Sequence, residues 1–210
     1  LYEKALSEGT LEQWKQQMRK DCHNYLTLAL CYRLAGLYED AINILDACDS
    51  GSPLLDYYKG SISLAANRPE DAVKYFQAGE AACPDYCFPN RIEEIEILSD
   101  AIHTLSVAPM ACYYLGNLLY DKKQYEKATA LWEKTTQQKP TFAMAWRNLC
   151  IAYYNKHQDG NKALAAMEKV CLPKAPSARF LLEYDQLAAR MNHTTNQRLA
   201  VLDENFELVK

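Results

Sequence analysis

The sequence contains few glycines, no long apolar run and no concentrated positive charge, and each shortage excludes a class of protein. Only seven of the 210 residues are glycine, and none lies in a glycine-rich loop of the kind that cradles phosphate groups. No apolar run approaches the ~20 residues that span a bilayer, so no membrane partner is expected. No strand-like alternation appears, whereas alanine, leucine, tyrosine, glutamate and lysine are plentiful. The composition therefore predicts an all-α fold.

The charge balance and the histidines point away from a nucleic-acid surface and a metal centre. The formal net charge is -4, whereas phosphate binding normally needs a concentrated basic stripe. The histidines are scattered, and none stands in a two-histidine helical zinc motif or beside a serine elbow: His23, His103, His157 and His193. We therefore predict no catalytic residue, metal site, cofactor or nucleic-acid partner on this chain. An enzyme upstream in a longer protein stays open.

Eight cysteines raise the question of disulfides or metal binding. Cys48 and Cys171 fall on the inner faces of predicted helices, and Cys150 takes a small packing position. Only Cys83 and Cys87 are close in sequence, and no second pair or neighbouring histidine completes a zinc set. We therefore expect reduced, mostly inaccessible thiols, with metal or redox chemistry as the alternative. Reduced thiols favour a cytoplasmic location.

A fixed spacing of small, apolar and proline residues recurs along the chain. Ala128 follows Gly116 by twelve residues, Trp132 follows four later and Pro140 eight later. The other copies are Leu28, Ala29, Ala41, Leu45 and Pro53; Gly60, Ala72, Phe76 and Pro84; and, with one extra residue, Leu149, Cys150, Ala163, Met167 and Pro176. A repeat of roughly 34 residues with these features is the tetratricopeptide pattern.

Helix packing explains this spacing. The small residues allow the two helices of one repeat to cross closely, and the large apolar residues fill the space toward the next helix. The proline is expected to stop the second helix because it lacks an N–H donor. One pair cannot bury its own apolar face, so stacked pairs are predicted to form a right-handed α-α superhelix with a concave surface.

The repeats predict a single solenoid over residues 1–210. Its units lie near 22–53, 54–84, 109–142 and 143–176, with an irregular segment at 85–108 and an atypical terminal pair at 177–210. Leu1 to Leu6 resembles the end of a second repeat helix, so we expect the chain to begin inside a longer protein. A first helix is predicted from Thr10, as N-cap, to Lys20.

The irregular segment has room for only one good helix, predicted from Asn90 to Leu105. Its expected buried stripe is Ile92, Ile95, Leu98 and Ile102, and its expected outer face is Glu93, Glu96 and Asp100. A repeat without its first helix leaves a notch in a solenoid. The loop from Asp85 to Asn90 is therefore a candidate for added binding specificity.

Three segments resemble the repeat region of a family of large bacterial proteins. They are residues 85–94 (DYCFPNRIEE), 113–121 (YYLGNLLYD) and 146–149 (WRNL), and the resemblance covers most of residues 22–190. In that family a β-rich domain of unknown function, similar to sugar-binding or mutarotase-like sandwiches, precedes the repeats. The resemblance implies an upstream carbohydrate-related domain and brings no catalytic residue onto this chain.

Candidate binding residues follow from the expected concave face, which the first helices line. The side chains without an expected packing duty are Tyr113, Asn117, Tyr120, Arg147 and Tyr154, together with Ile151. Arg147 would contact an acidic group and the tyrosines would supply apolar area. Asn117 and Asn148 resemble two members of the carboxylate clamp of chaperone-adaptor repeats, but the lysines of that clamp are absent.

Three functions remain open from the sequence. The repeats are predicted to be a non-catalytic protein-interaction scaffold that binds a peptide or partner domain in the concave groove. Alternatively, they are an architectural or dimerisation arm that packs on an upstream carbohydrate-related domain of the same chain. Reading single-stranded RNA, one base per repeat, is the third possibility, and the acidity of the chain argues against it.

Overall fold

The computed structural model describes residues 11–19, 21–172 and 174–208. Within these ranges it contains twelve α-helices, one short 3-10 helix and no strand, so the all-α prediction is confirmed. The α-helices are α1 Leu11–Gln17, α2 Cys22–Leu34, α3 Tyr38–Asp46, α4 Pro53–Ala65, α5 Pro69–Ala81, α6 Glu93–Thr104, α7 Pro109–Asp121, α8 Tyr125–Gln138, α9 Ala143–Asn155, α10 Gly160–Cys171, α11 Ala178–Arg190 and α12 Thr195–Glu204. The 3-10 helix is Phe206–Leu208. The predictions for Leu1 to Leu6 and for the Thr10 cap lie outside the described residues.

The chain is divided into two compact units. Unit 1 is Leu1–Tyr114 and unit 2 is Leu115–Lys210, so the boundary falls within α7. The single solenoid over residues 1–210 stays a prediction.

Unit 1 contains α1, two helix pairs, the additional helix α6 and the first part of α7. Helix α2 packs on α3, α4 packs on α5, and α6 takes its place against α4. Tyrosines dominate the centre of this unit: Tyr57 and Tyr58 are fully buried, and the Tyr57 ring meets the Tyr114 ring edge-on with centroids 5.9 Å apart. Edge-on contact is a favoured arrangement of buried aromatic rings.

Unit 2 repeats the same pairing. Helix α9 packs on α10 and also on α8, α10 packs on α11, and α11 packs on α12. Two sets of polar contacts stabilise the terminal pair α11–α12 and the segment before it. Arg198 of α12 donates to both carboxylate oxygens of Asp185 on α11, at 2.8 and 2.6 Å, and the buried Asn205 side chain accepts from the Ala175 N–H at 2.7 Å.

The small residues of the repeat lie where the paired helices approach closely, as the spacing predicted. A Cβ atom added to Gly116 would lie 2.5 Å from Nε1 of Trp132, and one added to Gly60 would collide with the ring of Phe76. The alanines at the repeat spacing are also fully buried: Ala29, Ala41, Ala72, Ala128 and Ala163. The tetratricopeptide-type helix pairs are therefore confirmed.

Pro53 acts differently from the prediction. Helix α3 ends at Asp46, well before Pro53, and Pro53 is instead the first residue of α4. That position suits proline because the first helical N–H has no partner within the helix, so its loss costs nothing there. The idea that Pro53 stops the preceding helix is thus wrong.

The buried stripe of α6 is shifted from the predicted one. Ile92 is 73% exposed and lies just before the helix, so the prediction that it is buried was wrong. The residues that α6 buries are Glu94, Ile97, Leu98 and Ala101. The shift brings a carboxylate, Glu94, into the interior.

The cysteines are all free, but only half of them are buried. Buried thiols are those of Cys87, Cys112, Cys150 and Cys171, whereas Cys22 and Cys48 are half-buried and Cys31 and Cys83 are exposed. The prediction that the thiols are mostly inaccessible was therefore wrong for half of the set. Cys31 lies on the exposed surface of α2, and Cys83 lies just after the end of α5, so neither is at a helix crossing.

Candidate functional site: a groove on unit 2

A groove in unit 2 lies between α9 and α11 and has a volume of about 230 Å³. We call it the α9–α11 groove. Six side chains define it, three from each helix: Arg147, Ile151 and Tyr154, facing Glu183, Leu187 and Arg190.

The sequence places these side chains on one face of each helix. The residues from α9 are spaced by four and then three positions, and those from α11 have the same spacing. Residues at such intervals share one face of an α-helix. Helices α9 and α11 are each the first helix of a pair. Arg147, Ile151 and Tyr154 therefore lie on a first helix, as the sequence analysis expected of the candidate binding residues.

An ion pair fixes one end of the groove. Nε and Nη2 of Arg147 donate to the two carboxylate oxygens of Glu183, at 2.6 and 2.7 Å. Arg179, one turn before Glu183, also donates to this carboxylate at 3.1 Å. The hydrogen bonds from Arg147, followed by those from Arg179, hold the pKa of Glu183 below its usual value, although burial opposes them.

We expect the Arg147→Met variant to lose about 1 to 2 kcal/mol of unfolding free energy near pH 7, because its partner carboxylate loses two charge-assisted bonds. A lowered folded-state pKa of Glu183 stabilises the fold above the unfolded value of ~4.3, and this contribution disappears as pH falls through the folded-state pKa. The deficit of the variant should therefore shrink at about pH 3. Urea unfolding at both pH values measures it.

Arg179→Met is the matched control for this pair. Arg179 bonds to the same carboxylate, but its side chain is 72% exposed, so its loss should change stability by less than about 0.5 kcal/mol. An equal loss for both variants at neutral pH, or a deficit of Arg147→Met that persists undiminished in acid, would contradict the role given to the pair.

The other end of the groove is aromatic and positively charged. The Arg190 guanidinium lies over the Tyr154 ring, 5.8 Å from its centroid. Arg190 is exposed and Tyr154 is half-buried. Cys150 and Met167 also line the groove. Burial raises the pKa of the Cys150 thiol to about 11, so Cys150 is a neutral, apolar wall at physiological pH.

The remaining predicted binding residues lie outside the groove and pack against other side chains. Tyr113 is buried and belongs to unit 1. Oδ1 of Asn117 accepts from Trp132 Nε1 at 3.1 Å and from Asn148 Nδ2 at 2.9 Å. The Tyr120 ring packs against Trp132, with centroids 5.2 Å apart. The premise that these side chains have no packing duty was therefore wrong, and it was wrong for Arg147 as well.

The α11 half of the groove was missed from the sequence. Glu183, Leu187 and Arg190 lie in the terminal pair, which lacks the small-residue signature of the other repeats. Their spacing of four and three residues matches that of Arg147, Ile151 and Tyr154. This match is the one sequence feature that could have identified them as groove residues. The pairing of Glu183 with Arg147 spans 36 positions, a separation that no local pattern reports.

Unit 1 carries exposed aromatic residues in the loop before α6. Tyr86 is 91% exposed and Phe88 is 71% exposed. The end of the loop is anchored from inside: the fully buried Glu94 carboxylate accepts from the N–H groups of Asn90 and Arg91, at 2.7 and 2.9 Å. The loop therefore projects its aromatics from a fixed base.

The described ranges contain neither a metal-binding cluster nor a membrane-spanning helix. No cluster of three or more histidine, cysteine, aspartate or glutamate side chains there could hold a metal ion. Among the same residues, every helix is too short or too polar to cross a bilayer.

No known protein-family model matches the chain. MamA, from residue 41 to its end, of Desulfovibrio magneticus RS-1 is 19% identical with a TM-score of 0.40, over 90% of this chain and 93% of that one. The C-terminal part of a TPR repeat-containing protein from Cytophaga hutchinsonii is 18% identical with a TM-score of 0.41, over 94% and 87%. YrrB, a TPR protein with an unusual peptide-binding site, is 17% identical with a TM-score of 0.39, over 84% and 98%.

The chain has the tetratricopeptide-repeat fold. Its own geometry carries this statement: helix pairs follow the 34-residue spacing, and buried small residues lie where the paired helices meet. At the identities and TM-scores given above, the similar structures add no argument about what the chain binds.

Proposed function

We propose that the chain is a protein-interaction scaffold without catalysis of its own, and that the α9–α11 groove binds a partner-protein segment through one acidic side chain. The observation that carries this proposal is the exposed Arg190 guanidinium over the half-buried Tyr154 ring, beside the apolar residues Leu187 and Met167. A cation above an aromatic wall can bind a carboxylate while the ring covers the apolar stem of that side chain.

The size of the groove favours a side chain over a cofactor. Its volume of about 230 Å³ is below the ~300 to 1,000 Å³ of typical small-molecule sites. A single glutamate or aspartate side chain of an extended segment fits such a space. The rest of the segment would lie along the exposed edges of the two helices.

The charge of the groove favours an acidic ligand. Two arginines and one glutamate line it, which leaves it positive on a chain whose formal net charge is -4. Because Arg147 is bound to Glu183, this proposal assigns the hydrogen bonds to the carboxylate of the partner to the guanidinium of Arg190. Arg147 positions Glu183 and the groove wall.

The proposal keeps Arg147 and Tyr154 from the predicted binding residues. Asn117 and Tyr120, which belong to unit 2, would contact a segment that extends along the first helices beyond the groove. Tyr113 stays a sequence prediction. The alternative function, an architectural or dimerisation arm, also stays a prediction.

Selection from a phage-displayed peptide library on the immobilised chain tests the proposal. We expect enriched peptides to contain aspartate or glutamate next to apolar residues, since the groove offers one cation and apolar walls. Fluorescence anisotropy with the enriched peptides should then show at least a ~10-fold loss of affinity for Arg190→Glu and for Tyr154→Ala, about 1.4 kcal/mol each.

Lys169→Glu supplies the matched control. Lys169 is exposed on α10 of the same unit, and its charge reversal changes the net charge of the chain by the same amount as Arg190→Glu. Equal weakening by both variants would show that only long-range charge matters. An unenriched selection, or enriched peptides that bind folded Arg190→Glu as tightly as wild type, would contradict binding at the groove and leave the architectural arm as the better account.

A further inference from the structure

Helix α6 lies against the first helices of the two pairs in unit 1. It packs chiefly on α4, which opens the second pair. It also reaches α2, which opens the first pair: Nη2 of Arg33 donates to Oε1 of Glu96 at 2.8 Å. Just before α6, Nη2 of Arg91 donates to the His23 carbonyl at 3.0 Å. The helix of the irregular segment therefore covers a surface to which both first helices contribute.

The residues that α6 buries follow the pattern of a helix bound in a groove. Glu94, Ile97, Leu98 and Ala101 occupy positions i, i+3, i+4 and i+7. Peptide helices that bind in the grooves of other proteins use anchors at the same positions. These four are the buried residues of a 12-residue helix, whereas α4 buries nine of its 13 residues. Helix α6 is thus held by a narrow stripe rather than enclosed by the fold.

Three carboxylates of α6 meet donors on α2 and α4. The Tyr58 hydroxyl donates to Oε1 of Glu94 at 3.1 Å, and the Ser61 hydroxyl donates to Oδ2 of Asp100 at 2.7 Å. The third carboxylate is the one bound by Arg33. We call the surface that carries Arg33, Tyr58 and Ser61 the α2–α4 face. Its donors match a helix with acidic side chains at these positions.

The segments on both sides of α6 allow it to leave this face without breaking a helix. Residues 82–92 connect it to α5 and residues 105–108 connect it to α7, and neither segment contains a helix. When α6 leaves, its carboxylates return to water, and their hydration offsets part of the apolar burial that is lost. The cost of release is therefore smaller than the apolar contacts alone would set.

We propose that the α2–α4 face binds an acidic amphipathic helix of a partner protein, and that α6 occupies the face until such a helix displaces it. The partner helix presents a glutamate and three apolar anchors at i, i+3, i+4 and i+7, with an aspartate at i+6, as α6 does. Because α6 is tethered, it competes at an effective concentration in the millimolar range. The face is therefore closed to weak partners. It belongs to unit 1 and does not depend on the α9–α11 groove of unit 2.

A fluorescent peptide of residues 92–105 tests the proposal because it copies α6. We expect the double variant Glu96→Ala, Asp100→Ala of the chain to bind this peptide at least ~10-fold more tightly than wild type, since the tethered helix is weakened and the face is intact. A peptide with the same two substitutions should lose the gain. Fluorescence anisotropy measures both. Failure of the folded double variant to bind the peptide, or equal binding of the two peptides, would overturn the proposal.

Two further variants separate the α2–α4 face from a general effect of charge and from the other groove. The double variant Asp85→Ala, Glu93→Ala removes two exposed carboxylates of the same segment and should bind the peptide no better than wild type. A gain equal to that of Glu96→Ala, Asp100→Ala would show that only charge matters. Arg190→Glu, added to Glu96→Ala, Asp100→Ala, should leave the gain unchanged. Loss of the gain would place the peptide in the α9–α11 groove and contradict the α2–α4 face as its site.

Hydrogen exchange of the wild-type chain decides the matter if the double variant does not fold. Helix α6 should exchange through an opening of lower free energy than α4 and α5, and so be less protected under native conditions. Equal protection of the three helices would mean that α6 leaves only when unit 1 unfolds. That result would overturn the proposal.

Discussion

Replacing Gly116 with leucine is expected to lower the free energy of unfolding by about 1 to 3 kcal/mol. Even a Cβ atom at this position would lie 2.5 Å from Trp132 Nε1, and the indole is buried and donates to Asn117 at 3.1 Å. The ring cannot retreat without losing this bond and its packing. Leucine also has a better helix propensity than glycine, but this returns less than about 1 kcal/mol. Urea unfolding followed by circular dichroism measures the difference.

Two alanines of α8 provide a matched comparison for this prediction. Ala128 is fully buried at the repeat spacing, and Ala130 is exposed on the same helix. Ala128→Leu should destabilise by a similar ~1 to 3 kcal/mol, whereas Ala130→Leu should stay within about 0.5 kcal/mol of wild type. A harmless Gly116→Leu, or equal effects at both alanines, would show that the repeat spacing does not mark close helix crossings.

Glu94→Ala is expected to cost about 2 to 4 kcal/mol, because it leaves buried donors without their acceptor. The Glu94 carboxylate is fully buried and accepts from the Tyr58 hydroxyl at 3.1 Å as well as from the Asn90 and Arg91 N–H groups. The hydroxyl of Tyr58 lies in the core of unit 1, where water does not replace the lost partner. Chemical denaturation gives the size of the loss.

The neighbouring residue, Glu93, provides the control for the Glu94→Ala variant. Glu93 is exposed and carries the same charge on the same helix, so Glu93→Ala should change stability by less than about 0.5 kcal/mol. Hydrogen exchange should also become faster at Asn90 and Arg91 in Glu94→Ala, since their N–H groups lose the carboxylate. Similar losses for both variants would contradict an anchoring role for Glu94.

The repeat spacing was enough to predict the helix pairs because it reports local geometry. A small residue and a large apolar residue at fixed intervals meet when two helices pair, as Gly116 and Trp132 do, and Ala128 between them in sequence is fully buried. The buried face of the helix in the irregular segment 85–108 was harder to predict from the sequence. Its apolar residues fit two neighbouring stripes, and packing against other helices selected the one that contains Glu94 rather than Ile92.

The groove was only half predictable for a related reason. Arg147 and Tyr154 follow from the first-helix face, but their partners Glu183 and Arg190 lie 36 residues further along in each case. Side-chain pairing over that separation depends on how α9 and α11 pack.

Hydrogen–deuterium exchange of the chain with and without a selected acidic peptide is the most direct test of binding at the groove. We expect the peptide to slow exchange along α9 and α11, around Tyr154 and Arg190, and to leave α4 and α5 of unit 1 unchanged. Slower exchange confined to the loop at residues 85–90, or no change along α9 and α11 at saturating peptide, would contradict the α9–α11 groove as the binding site.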